Sequence, residues 1–210
     1  MSKKSESNTL LSRIVRRNFP KGKLTRSNYR KRALPCLLAD FSNRCAYSML
    51  HKDMAGGEAA IDVDHFDPRL KSRYLQSYSN LFPASRHCNG KKQNAWPSKE
   101  MEAAGIRFLD CTKEHDYGVH ILEDPATHRV FGITPAGRYH VRVLDLNAAV
   151  FIKHRKMRAD LHIVMTQTPL EIKAKAFDRL RAAIQLAKGL QELVIPLIPY
   201  GTPPEAPANE

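Results

Sequence analysis

No run of this chain approaches the roughly 20 consecutive apolar residues that a membrane helix needs, so a membrane-spanning helix is not expected. Lys3 and Lys4 are followed by no apolar stretch, so no secretory signal is read at the N-terminus. The four cysteines, Cys36, Cys45, Cys88 and Cys111, include no C-x-x-C pair. Free thiols and a reducing cytoplasm are therefore expected. Acidic residues are also scarce, 21 against 34 Lys and Arg, for a formal charge of +13. What the chain does have is enough apolar material, 42% of 210 residues, to bury a core without disulfides. That length suits one domain, or one small core with appendages.

Part of the charge is localised. Between Met1 and Arg32 there are eleven Lys or Arg against one acid, Glu6, which accounts for +10 of the +13. A basic segment of this kind attracts phosphate backbones and releases counterions on binding. A solvated tail that keeps the protein soluble would have the same composition.

The coarse pattern is α+β. Residues 1–26 read as a basic arm in which Leu10, Leu11, Ile14 and Val15 have helical spacing until Pro20 and Gly22 break it. Leu34, Leu37, Leu38 and Phe41 mark an amphipathic helix, with Pro35 in its first turn or inside a longer helix begun near Ser27. Residues 61–66 alternate apolar and polar as a strand does, and Asp67-Pro68 ends it. After a loop carrying Lys71, Arg73, Tyr74 and Tyr78, Leu81 and Phe82 suggest a second strand. A short helix is expected over 87–94, stopping before Trp96-Pro97. A hairpin follows, over 119–122 and 129–133. Two helices close the chain, the first with Val150, Phe151, His154, Met157, Leu161 and Val164 near one face. The second is announced by Thr168-Pro169-Leu170-Glu171, a threonine cap, a first-turn proline and a capping-box glutamate. The parts are then a basic arm (1–26), a core (27–100), a C-terminal hairpin with helices (101–200) and a tail (201–210).

The chemistry concentrates between Ile61 and Trp96. Hydrolysis of a phosphodiester needs a base to activate water, a cation at the scissile phosphate and fixed in-line geometry. Asp64-His65 on a strand offers a carboxylate and an imidazole. On an ideal strand they point to opposite faces, so one site can use both only if the strand ends or distorts there. A carboxylate with an amide oxygen suits Mg²⁺ or Mn²⁺. Taken singly these residues have ordinary readings. Asp-His dipeptides are common, and Asn80 and Asn89-Gly90 are turn signals. Asp62 shares a strand face with Asp64 and reads either as a supporting acid or as a solvent-facing one.

Taken together, Asp64-His65, Pro68, Asn80-Leu81, Asn89 and Lys92 resemble the HNH nuclease family over some 35 residues. Asn80 lies sixteen residues after Asp64, and Asn89 nine residues after Asn80. The resemblance implies a small ββα-metal nuclease core embedded in a mostly helical chain. It also implies a role for each residue: Asp64 and Asn89 ligate the metal, His65 is the general base, and Asn80 orients it by pinning loop and backbone. The products would be a 5′-phosphate and a 3′-hydroxyl. His87 is the rival third ligand, but on a helix it sits about 200° from Asn89. The candidate nucleic-acid contacts are Lys91, Lys92, Arg69, Lys71 and Arg73.

Many HNH proteins also carry a structural zinc on two C-x-x-C pairs. Here Cys45-Ala46-Tyr47-Ser48 and Ser85-Arg86-His87-Cys88 look like those pairs with one cysteine missing from each, so a structural zinc is not expected. Cys45 and Cys88 are instead expected to be close neighbours buried in the core. His115, Asp116 and His120 look like a metal cluster on paper, but a surface patch is the plainer reading. The segments around Phe108-Leu109-Asp110, Gly137-Arg138 and Leu144-Asp145-Leu146-Asn147 are similar to HNH proteins of bacterial anti-phage systems, Septu-type and retron-linked. Those nucleases work beside an ATPase partner. Three functions follow as expectations: a DNA endonuclease, an RNA-cleaving toxin acting on tRNA, or a catalytically silent nucleic-acid-binding module.

Overall fold

The structure is a computed structural model, and it describes residues 14–71, 76–114 and 117–167. The helix expected from Thr168, the C-terminal tail, residues 1–13, Arg73, Tyr74, His115 and Asp116 lie outside the described residues. Among those described, no helix is long and apolar enough to cross a membrane.

The architecture is α+β. Helix α1 (Tyr29–Asp40) buries Ala33, Leu37 and Leu38, and it contains Pro35 in its interior rather than in its first turn. A one-turn helix, α2 (Lys52–Ala55), ends at Gly56, whose φ of 108° is a left-handed C-cap that a side chain would strain. Strand β1 (Ile61–His65) pairs antiparallel with β2 (Leu81–Ser85), with Ile61 opposite Ser85 and His65 opposite Leu81. Helix α3 (Arg86–Lys92) follows without a loop, because the Ser85 hydroxyl caps it by accepting from Cys88 N at 3.3 Å. Two helices, α4 (Lys99–Ala103) and α5 (Pro135–Val143), flank a small hairpin of β3 (Ile121–Glu123) and β4 (Val130–Gly132). Helix α6 (Ala149–Gln167) closes the described chain.

One hydrophobic core joins these parts. It runs from Leu37 and Phe41 on α1, through Val63, Phe82 and Cys88, to Phe108, Leu144 and Phe151. The C-terminal half therefore packs on the same core as β1, β2 and α3. On α6 the buried face differs from the stripe expected from sequence. Val150 is exposed, whereas Phe151 and Arg155 are buried. Arg155 is drawn in because its guanidinium donates to His128 O at 2.6 Å and Leu146 O at 2.9 Å, which satisfies carbonyls that packing would otherwise strand.

The basic N-terminal segment is not a free arm from Ile14 onward. Ile14 N donates to Cys111 O at 3.1 Å. Arg16 donates to the carbonyls of Tyr78, Ser79 and Leu81, and its guanidinium sits 4.7 Å from the Phe82 ring centre. Asp40 accepts from Arg17 N and Asn18 N, each at 2.9 Å. Arg16 thus joins the segment to the chain on both sides of Asn80.

The hairpin and α5 approach so closely that backbone touches backbone. A Cβ built on Gly137 would lie 1.9 Å from His120 O, and one on Gly132 would lie 2.0 Å from Arg138 N. Neither neighbour is a flexible side chain, so relief requires moving α5 off the hairpin. Gly137→Ala is accordingly expected to destabilise the fold by at least ~1–3 kcal/mol. Chemical denaturation checks this, and an unchanged midpoint would show that α5 is seated otherwise.

Candidate functional site

β1 ends at His65, and the side chains of Asp64 and His65 take different partners. Asp64 is buried against α3. Its Oδ2 accepts from Tyr47 Oη at 2.5 Å and from Lys92 Nζ at 2.8 Å. Lys92 is wholly inaccessible to solvent, and its Nζ also donates to His65 O at 2.8 Å. The expectation that Lys92 meets a phosphate is corrected by this geometry. Lys92 lies one helical turn beyond Asn89 on the face that packs against β1, and its ammonium offsets the buried Asp64 carboxylate. Burial pulls the Lys92 pKa down, with Asp64 opposing the shift, while burial and the Asp64 charge push Tyr47 well up.

His65 turns the other way. Its Nε2 hydrogen-bonds to Gln76 Oε1, and its ring lies 5.2 Å from the Tyr29 ring on α1. The carbonyl oxygen of Gln76 can only accept, so Nε2 carries the proton and Nδ1 holds the lone pair. Nδ1 has no hydrogen-bond partner among the described residues. Burial lowers the imidazole pKa below 6.5, with the Gln76 bond pulling the other way. The ring is thus a neutral base with a defined basic atom, as accepting a proton from water requires.

Asn80 is buried at the start of β2 and ties down the chain just past His65. Its Oδ1 accepts from Asp67 N at 2.8 Å, its Nδ2 donates to Asp67 O at 2.9 Å, and its carbonyl accepts from Phe66 N at 2.9 Å. Asn80→Ala removes both side-chain bonds and leaves the Asp67 N–H without its acceptor, while Asp67 O keeps Leu70 N at 3.2 Å. A loss of about 1–3 kcal/mol is expected. A thermal melt checks it, and a variant as stable as wild type would show that the clamp is dispensable.

Asn89, on α3, is directed at Asp62 rather than at Asp64. Its Nδ2 donates to Asp62 Oδ2 at 3.0 Å, and Asp62 Oδ1 lies 3.6 Å from Arg30 Nη2. Two strand residues on one face are about 7 Å apart, so Asn89 and Asp64 occupy neighbouring points of the same β1–α3 seam. Two oxygens there, Asp64 Oδ1 and Asn89 Oδ1, have no hydrogen-bond partner among the described residues. Both are hard donors, of the kind Mg²⁺ and Mn²⁺ take alongside retained waters. The donor chemistry fits such an ion. Among the described residues no group of three or more His, Cys, Asp or Glu could hold a metal.

The remaining candidates disperse. The His87 ring packs edge-on against Phe151 of α6, and its Nε2 lies 3.4 Å from Asp145 Oδ2, away from the Asp64 seam. Lys91 Nζ lies 3.1 Å from the same Asp145 oxygen and is half exposed. Arg69 forks onto Asp67, lies 3.5 Å from Glu102 and sits over the Trp96 ring, so its charge is largely matched within the chain. Lys71 is exposed and donates to Asn94 Oδ1 at 2.9 Å. His120 pairs with Glu114 and Thr134.

Sequence reasoning missed Tyr47 and Gln76, the residues that hold Asp64 and His65. Neither has a motif position; they reach the site only through the fold. Cys45 and Cys88 are both buried, and each thiol shifts the other's pKa, so the two are neighbours. Ser48 N reaches Cys45 Sγ at 3.5 Å and Ser85 caps Cys88, so the four knuckle-like positions do converge. No family model, no curated protein and no solved structure matches the chain.

Proposed function

We propose that this protein is a divalent-metal-dependent endonuclease of the HNH type that hydrolyses phosphodiester bonds in DNA. One observation carries the reading. A strand–strand–helix unit seats Asn89 and Lys92 of α3 against Asp62 and Asp64 of β1, while His65 ends the same strand as a neutral base. In the proposed mechanism Asp64 and Asn89 would hold Mg²⁺ or Mn²⁺. When bound, that ion would polarise the scissile phosphate and stabilise charge on the leaving oxygen. Water attacks phosphorus and gives its proton to His65 Nδ1, while the P–O3′ bond breaks and the departing O3′ takes a proton from solvent, leaving a 5′-phosphate and a 3′-hydroxyl. Gln76 holds the ring by Nε2, and Asn80 holds the backbone after it.

Lys92 belongs to the buried charge balance of Asp64, so phosphate contacts fall to exposed cations such as Lys71 and Lys91. Work beside an ATPase partner in anti-phage defence remains part of the proposal. The C-terminal half, built on the same core, is where that partner would dock.

Incubating the protein with supercoiled plasmid and with total RNA in Mg²⁺ tests the substrate. Nicked plasmid with intact RNA is expected. Cleaved RNA with intact plasmid would move the substrate to RNA, and cleavage of neither would favour the silent nucleic-acid-binding module.

A further inference from the structure

We infer that Asp62 is a positioning residue for the metal centre, acting through Asn89; this rests on the metal-centre reading above. An asparagine amide has two nearly isosteric ends, and only one of them, Oδ1, can coordinate a cation. Nothing intrinsic to Asn89 decides which end faces the seam. It sits in a seven-residue helix, one residue before Gly90. The Asp62 carboxylate decides it. An ionised carboxylate only accepts hydrogen bonds, so the NH₂ end must face Asp62, as the 3.0 Å Nδ2–Oδ2 contact has it. The flipped amide would set oxygen against oxygen. With Nδ2 held, Oδ1 is turned out as the free donor, without a hydrogen-bond partner among the described residues.

Asp62 is itself fixed. Its backbone lies opposite Ala84 in the β1–β2 ladder, and Arg30 of α1 stands 3.6 Å from its other oxygen. A line of contacts therefore runs from α1 through β1 to α3 and ends at the amide. Partners of this kind typically change metal affinity by about 10- to 100-fold when removed.

The test is Mn²⁺ binding, read by electron paramagnetic resonance or calorimetry, with a thermal melt on every variant. Asp62→Ala is expected to weaken binding about 10- to 100-fold. Asp62→Asn, whose amide oxygen can still accept from Asn89, is expected to keep most of the affinity. In an Asn89→Ala background, Asp62→Ala should add nothing, because its effect passes through that amide. If Asp62→Asn loses as much as Asp62→Ala, or if the two losses add, Asp62 is a ligand in its own right and the positioning role is wrong. Unchanged affinity in Asp62→Ala would also overturn the role while leaving the metal centre intact. Absence of Mn²⁺ binding by wild type would remove the metal centre and the role together.

Discussion

His65→Ala is expected to slow plasmid cleavage by roughly 10²–10⁴-fold, the usual contribution of a positioned general base. The loss should appear in the rate at saturating metal, since His65 faces Gln76 and Tyr29 while the proposed metal donors lie on the α3 side of β1. The pH dependence is the companion measurement. Burial lowers the His65 pKa below its ordinary 6.5. The working form is the neutral ring, so the His65-dependent rate should be above half its maximum at pH 6.5. It should reach half only at lower pH, as the ring is protonated. The same shift makes stability pH-dependent in the same direction. As pH falls through 6.5 the unfolded chain takes up this proton before the folded one does, so the folded state is progressively disfavoured. A cleavage rate that halves at or above pH 6.5 would assign the base to another group. Gln76→Leu removes the bond that opposes the shift, so it should move the profile further toward acid.

Lys92→Met is expected to cost roughly 3–5 kcal/mol, the scale of breaking one half of a buried ion pair. For a chain of this size that corresponds to a fall in Tm of the order of 10 °C. Lys92 is fully buried and Asp64 nearly so, and removing the ammonium leaves a carboxylate with only the Tyr47 hydroxyl on it. The methionine keeps most of the aliphatic stem, so lost packing contributes little. The diagnostic variant is the double one. Asp64→Asn together with Lys92→Met removes both charges, and it should be closer to wild type than Lys92→Met alone. If Lys92→Met melts like wild type, the pair is not buried in solution and Lys92 returns to the set of surface cations. The double variant reads folding only, because Asp64 is also a proposed metal ligand.

Much of the local structure was legible because local rules govern it. The alternation over 61–66 became β1 (Ile61–His65), and the helix expected over 87–94 became α3 (Arg86–Lys92). The hairpin predicted at 119–133 survives as the shorter β3 and β4. Helix α5 was missed although Thr134-Pro135 is the same start signal that was read at Thr168-Pro169. Its small residues, Ala136 and Gly137, gave no apolar stripe, because they are there to let backbone approach backbone.

At the candidate site, spacing picks out residues that share the β1–β2–α3 unit but not where their side chains point. The alternation rule foresaw that Asp64 and His65 could share one site only if β1 ended or distorted there, and β1 ends at His65. It could not foresee that Lys92 would be drawn inside, because a lysine near a helix end reads as solvated until its partner is known. Nor could it foresee that Asn89 would meet Asp62, since that contact is set by how α3 lies across the strand. Gln76 comes from a segment with no motif of its own, and Tyr47 occupies a position that the knuckle-like Cys45–Ser48 pattern leaves open. They are buried there because an acid and an imidazole taken out of water need hydrogen-bond partners, and long-range packing supplies them.

The most direct test of a metal-dependent nuclease is one plasmid incubation followed in stages. Wild-type protein in Mg²⁺ should nick supercoiled DNA, excess EDTA should stop the reaction, and Mg²⁺ added beyond the chelator should restart it. The nicks should be sealed by DNA ligase without end repair, as a 5′-phosphate beside a 3′-hydroxyl requires. Nicking that continues unchanged in EDTA would contradict the account.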